Sequence, residues 1–253
     1  MGPIIAVANQ KGGVGKTTTA VNLSACFAVA GKKTLLVDID PQGNATSGVG
    51  IDKNANDKCI YEILINGLSP KEVLRKTEVA LLEVLPSHLR LVGAEVELVD
   101  LEGRELLLKK ALSDIRSDYD YIIIDCPPAL SLLTVNALAA ADSVIIPVQC
   151  EYYALEGLSQ LLDTINLIKR NINPHLAIGG FLLTMYDVRL NLSKQVVEEA
   201  RKFFGGRVFK TIIQRNVRLS EAPSFGKPIL LYDVISTGAE NYIRLSREIM
   251  NGE

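Results

Sequence analysis

The stretch Lys11-Gly12-Gly13-Val14-Gly15-Lys16-Thr17-Thr18 constrains this chain more than any other, because three glycines and two lysines lie between an apolar run and a helix-forming run. Loops that cradle phosphate follow the pattern Gly, any four residues, Gly-Lys-Ser/Thr, in which glycines let backbone amides turn inward without a Cβ in the way. Gly15-Lys16-Thr17 supplies the end of that pattern, Gln10 stands where its first glycine belongs, and Lys11 adds a second cation at its start. Upstream, Ile4-Ile5-Ala6-Val7-Ala8 predicts a buried strand; downstream, 18–30 predicts a helix that Gly31 stops. Strand, loop and helix open a parallel α/β sheet, and the helix N-terminus turns free amides and the positive end of its dipole toward an anion.

The rest of the chain keeps that alternation. Strands are expected at 33–39, 82–85, 121–125, 143–148, 178–184 and 208–213, with helices between them. Runs such as Tyr121-Ile122-Ile123-Ile124 and Val144-Ile145-Ile146 are apolar without alternation, as in strands buried on both faces. The expected fold is therefore α/β, a doubly wound, mostly parallel sheet flanked by helices, with ligands at the carboxyl ends of the strands. The segment from Gly48 to Glu83 is the least regular and reads as loops and short helices over one edge. With 253 residues, 48% of them hydrophobic, a single domain over 1–253 suffices. No apolar stretch is long enough to span a membrane and no secretory leader precedes the first strand, so a cytoplasmic location is expected. Cys26, Cys59, Cys126 and Cys150 form no C-x-x-C pair, which disfavours a zinc or dithiol site and predicts reduced, mostly buried thiols.

Two acidic motifs fall at expected strand ends. In Leu35-Leu36-Val37-Asp38-Ile39-Asp40-Pro41, the two aspartates share one side of an extended chain that Pro41 ends. Carboxylates placed there can orient an attacking water or hold magnesium through its water shell; the alternative, strongest for Asp38, is a carboxylate bonding loop amides. The second, Tyr121-Ile122-Ile123-Ile124-Asp125, has the Walker B form, whose aspartate assists the metal while Thr17 ligates it directly. Lys16 is placed to neutralise the β and γ phosphates. Lys11 precedes the turn, and a cation supplied to a second subunit, as arginine fingers are, would make dimerisation depend on ATP. The alternative is a solvated loop lysine.

Four strings together resemble the ParA/Soj family of chromosome and plasmid partition ATPases, of the deviant Walker A, MinD/ParA superfamily of P-loop NTPases. They are Asn9 to Thr18, Asp38-Ile39-Asp40-Pro41-Gln42-Gly43-Asn44, Asp125-Cys126-Pro127-Pro128, and Arg215-Asn216-Val217-Arg218-Leu219-Ser220-Glu221-Ala222-Pro223. The segment from Pro147 to Gly157 is typical of the chromosomal, Soj-like branch. The resemblance implies an ATP sandwich dimer in which Lys11 reaches the partner's nucleotide, Lys16 holds its own, Thr17 binds magnesium, Thr18 a phosphate, and Asp40 positions the hydrolytic water. It also implies nonspecific DNA binding by the ATP dimer, a nucleoid association, and a ParB-type centromere-binding protein that stimulates slow hydrolysis. Matching positions give Gln214 and Asn216 adenine contacts; the family usually has proline at the first, so the contact there is a backbone one.

A net charge of −2 does not by itself draw a protein to DNA. The distribution differs: from Arg189 to Lys227, nine basic residues face three acidic ones, so this segment carries +6 and the remainder −8. Such a stretch can neutralise phosphates without reading bases. The resemblance singles out Arg189 and Arg218; Lys202 and Lys210 are further candidates. Ordinary solvated charges are the competing reading. Three other functions share the loop. A MinD-like ATPase needs a basic amphipathic membrane helix, where 239–250 reads as a packing helix with only Asn251-Gly252-Glu253 after it. An iron-protein reductase needs cysteines paired across subunits. A metabolic phosphoryl-transfer enzyme needs only the loop.

Overall fold

The computed structural model describes residues 2–54, 58–151 and 158–252. Among these described residues seven strands form one sheet: β1 (Ile4–Val7), β2 (Thr34–Asp38), β3 (Arg75–Lys76), β4 (Leu82–Leu85), β5 (Tyr121–Asp125), β6 (Ser143–Gln149) and β7 (Ala177–Thr184). Their order is β3-β4-β2-β5-β1-β6-β7, parallel throughout except for the two-residue β3 against β4. Alternate residues of each strand feed opposite faces. Ile4, Ala6, Val37, Ile122, Ile124 and Ile146 join one apolar core, while Ile5, Val7, Leu36, Ile123 and Ile145 join the other. This division is why the strands read as unbroken apolar runs.

Helix α1 (Lys16–Val29) is buried at every position from Thr19 to Ala28, so no amphipathic stripe marks it. It lies in the second core, touching the sheet and the helix Thr237–Asn251, whose Tyr242 hydroxyl meets the Thr19 hydroxyl at 3.1 Å. Beyond the cap Ala30, Gly31 takes a left-handed φ of 81°, and the amides of Gly31 and Lys32 donate to Ala28 and Phe27 carbonyls. That pattern closes a helix end by satisfying its last carbonyls.

The edge over 48–83 carries short helices at Ile60–Asn66 and Pro70–Val73, as expected. The strand expected at 208–213 is not one: it runs beside β7 and makes only the isolated bridges Phe181 to Val208 and Tyr186 to Gln214. The amides of Lys210 and Thr211 donate instead to the Glu248 carboxylate, at 2.6 and 2.9 Å, and that of Gln214 to Asn241 Oδ1. Side chains of the last helix thus occupy donors that a ladder would need.

Candidate functional site

Sheet order brings the three motifs together. β1 lies between β5 and β6, and β2 lies beside β5; Val7 and Asp38 both pair in register with Asp125. The loop after β1 and the acidic strand ends therefore share one rim, at the carboxyl end where doubly wound sheets bind ligands.

Asn9 shapes the entry to the loop: its Nδ2 donates to the Pro147 carbonyl at 2.7 Å and its Oδ1 accepts from the Lys11 amide at 3.0 Å. Gly13 and Gly15 take φ of 74° and 89°, left-handed values that a side chain would strain. Thr184 at the end of β7 donates its hydroxyl to the Val14 carbonyl at 2.9 Å and pins the loop from the far side. Gly15 caps α1 with no side-chain hydrogen bond, so the first amides of the helix face the loop for an anion to use.

The two lysines diverge. Lys16 is buried, 7% exposed, and its Nζ donates to the Lys11 carbonyl at 3.0 Å across the loop. Burial lowers its pKa, against the charges of Asp125, Cys126 and Asp40. Lys11 points outward, its Nζ 3.5 Å from Glu151 Oε2, with the lysine side chain 40% exposed.

The aspartates differ as well. Asp38 Oδ2 accepts from both the amide and the hydroxyl of Thr46, each at 2.7 Å, and Oδ1 from the Asp40 amide at 3.2 Å. The loop-bonding alternative for Asp38 is thus the arrangement present. Asp40 Oδ1 accepts from the Gln42 amide at 2.9 Å, and the residue is 7% exposed. Asp125 is fully buried, and neither of its oxygens has a partner of acceptable hydrogen-bond geometry. The Thr17 hydroxyl lies near enough to draw its pKa down, but burial, then the charge of Asp38, holds the carboxyl well above the usual range. Burial raises Asp38 in the same way. A buried carboxylate with both oxygens orphaned beside a hydroxyl fits a hydrated cation. Among the described residues no three His, Cys, Asp or Glu side chains form a metal cage of their own.

Next to Gly15 and Thr18 opens a cavity of about 560 Å³ lined by Met185, Gln214, Asn216, Leu219 and Tyr242. Both expected adenine contacts are here. The Gln214 amide is held by Asn241, which leaves its carbonyl as the backbone group available to a base. Asn216 Oδ1 caps the helix Val217–Glu221, accepting from the amides of Arg218 and Leu219. Met185, with a left-handed φ of 54°, lines the same cavity without any sequence signal. Thr46 and Ser87 were also missed. Thr46 lies two residues beyond the acidic string, and Ser87 follows the carboxyl end of β4, a position the fold itself makes informative.

Of the basic candidates, the two arginines carry acidic partners. Arg189 grips Asp187 with two bonds, Nε to Oδ1 at 2.9 Å and Nη2 to Oδ2 at 2.7 Å. Arg218 donates to Glu221 at 2.9 Å and lies 3.4 Å from Asp233. Asp187 and Asp233 fall just outside the 189–227 segment, so its +6 overstates the local charge. Lys202 sits in the last turn of the helix Asn191–Phe204, exposed, and Lys210 follows beyond it.

A family model described as AAA domain matches residues 2–178. The sporulation initiation inhibitor protein Soj of Bacillus subtilis is 60% identical over 98% of this chain and 98% of its own length. The chromosome partitioning protein ParA of Myxococcus xanthus is 59% identical over 99% of this chain and 88% of its own. The chain belongs to the Soj/ParA family of partition ATPases. Among solved structures, cobyrinic acid a,c-diamide synthase from Mycobacterium smegmatis, with bound ATP analog and magnesium, superposes with a TM-score of 0.88 at 36% identity, covering 100% of this chain and 98% of that one.

The family bears on the rival functions. No helix among the described residues is long and apolar enough to cross a membrane. The helix Thr237–Asn251 packs on the second core through Ala239, Tyr242 and Leu245, with Ile243, Ile249 and Met250 partly buried against it. All four cysteines are buried, where an iron–sulfur cluster shared between subunits could not reach them. The branch-typical segment is described only as far as Glu151; residues 152–157 lie outside the described residues.

Proposed function

We propose that this chain is a single-domain ATPase switch: with ATP and Mg²⁺ it closes into a homodimer, binds DNA without sequence preference, and is reset by slow hydrolysis that a ParB-type centromere-binding partner stimulates. The observation that carries this reading is the divergence of the lysines. Lys16 is committed inside the loop, while Lys11 stands on the surface in an ion pair that gives little stability and is easily exchanged. A cation so placed is available to phosphates presented by a second copy.

Within each subunit, the amides of the loop from Gly12 to Thr18 and the side chains of Lys16 and Thr18 would receive the phosphates, Gln214 and Asn216 the adenine, and Thr17 with Asp125 the magnesium, while Lys11 would serve the nucleotide of the second copy. Asp38 serves this site by holding the Asp40 turn through its amide, which supports a role beside the metal rather than on it. Magnesium would supply charge neutralisation at the phosphates. Asp40, half-held by Gln42 at the rim, would orient the water. Arg189 and Arg218, with Lys202 and Lys210, would meet the phosphate backbone and place the ATP form on the nucleoid within the cytoplasm.

Light scattering after size exclusion tests this reading. Parental protein should be monomeric with ADP and dimeric with ATP, and Lys11→Ala should bind ATP yet stay monomeric. Dimerisation retained in that variant would remove the cross-subunit role. Turnover stimulated by a metabolite rather than by DNA and a partner protein would favour instead a metabolic enzyme, the class to which the Mycobacterium smegmatis protein belongs.

A further inference from the structure

Four buried residues at the acidic rim close a ring of hydrogen bonds. The Asp40 amide donates to Asp38 Oδ1 at 3.2 Å, and Asp38 Oδ2 accepts from the Thr46 hydroxyl at 2.7 Å. The Thr46 oxygen accepts in turn from the Ser87 amide at 2.9 Å, and the Ser87 hydroxyl donates back to the Asp40 carbonyl at 2.5 Å. Asp38, Thr46 and Ser87 have no exposed surface, and Asp40 is 7% exposed. The ring joins three pieces of chain: the end of β2, helix α2 (Asn44–Gly48), and the turn after β4.

Its geometry converges on one residue. Both backbone groups of Asp40 are tied, the amide to Asp38 and the carbonyl to Ser87 and to the Gly43 amide, while its side chain bonds the Gln42 amide. A carboxylate that orients water must be aimed within a fraction of an ångström, and backbone torsions set that aim. Neither Thr46 nor Ser87 lines the nucleotide cavity. We propose that Thr46 and Ser87 are positioning residues for ATP hydrolysis, fixing the direction of the Asp40 carboxylate through the main chain without touching the nucleotide.

The inference rests on the reading of Asp40 as the water-orienting group, so the experiment includes Asp40→Ala. Ser87→Ala is the principal variant: it removes one donor, and the Asp40 carbonyl keeps the Gly43 amide, so no buried group is orphaned. Single-turnover hydrolysis of Mg-ATP and ATP affinity are measured on the full chain, with thermal unfolding alongside. Ser87→Ala should hydrolyse about 10- to 100-fold more slowly while ATP affinity stays within about threefold, the loss typical of disturbed supporting groups. Thr46→Val should fall as far or further, and Thr46→Ser, which keeps the hydroxyl, should restore the parental rate. A parental rate in Ser87→Ala, alongside an inactive Asp40→Ala, overturns the positioning role and leaves the Asp40 reading standing. Equal losses of rate and affinity would also overturn it, since they mark damage to nucleotide binding. A parental rate in Asp40→Ala would remove both readings together.

Discussion

The acidic rim and the basic stretch from 189 to 227 are built by different physics. At the rim, charges are buried and fixed by the surrounding fold: Asp38 is held by Thr46, Lys16 by the loop carbonyl, and the main chain of Asp40 by Ser87, while Asp125 is buried with both oxygens orphaned. In the basic stretch, Arg189 and Arg218 sit on the surface in ion pairs with Asp187, Glu221 and Asp233. Buried groups lose several kcal/mol when a partner goes, whereas surface pairs exchange partners at almost no cost. A nucleotide site needs the first property. A surface that must grip and release DNA needs the second.

Substituting Lys16 tests the rim most severely. Lys16→Ala should weaken ATP binding by at least about 30-fold, the lower limit for cutting one side of a buried charge pair, as titration with a fluorescent nucleotide would show. An affinity within a few-fold of the parent would mean that the loop amides alone hold the phosphates.

The basic stretch comes next in size. Reversing Arg189→Glu and Arg218→Glu together should abolish the DNA mobility shift at moderate salt while leaving the ATP-dependent dimer intact. If residual binding is measurable, its salt slope should fall by about one for every DNA phosphate that the dimer no longer neutralises. An unchanged shift would make both arginines ordinary surface residues.

Asp125→Asn sharpens the contrast from the rim side. The parent buries a carboxylate with two orphaned oxygens, so the variant should be more stable without nucleotide, by ~1–3 kcal/mol, and weaker in Mg-dependent nucleotide binding. The sign follows from its raised pKa. In the folded state Asp125 favours its protonated form, so the parent loses stability as pH rises from the unfolded carboxyl range toward the folded value. The gap between the two proteins, read by thermal melts across pH, should therefore widen on going from acid to neutral.

The smallest effect is expected at Asp187. Hydrogen bonds from the Arg189 side chain, and then from its amide, lower the Asp187 carboxyl to about 2, so it stays ionised at every working pH. Asp187→Asn should release Arg189 and tighten DNA binding a few-fold at low salt, with the gain fading as salt rises. Weaker DNA binding in this variant would show that the ion pair orders Arg189 for its ligand.

The loop and both acidic strand ends were legible because each signal is local: glycines next to Lys16, and aspartates ending apolar runs. Gln214 and Asn216 were reached through resemblance, and both do line the cavity. The segment 208–213 misled because its apolar composition suits a strand, while Glu248, 38 and 37 residues away in sequence, occupies the amides of Lys210 and Thr211. The charge count misled likewise, since Asp187 and Asp233 lie beyond its ends but within reach in space.

What the sequence by itself determined, then, was the strand–loop–helix opening, the doubly wound sheet it begins, and the residue types at its rim. Period, glycine placement and strand-end chemistry act over a few residues and need no tertiary contact to be read. The tertiary structure alone decided which carboxylate is left without partners, which lysine turns outward, and that Thr46 and Ser87 close a ring around Asp40. Those outcomes depend on which strands are neighbours, and burial turns that neighbourhood into energy by making each unmet hydrogen bond costly.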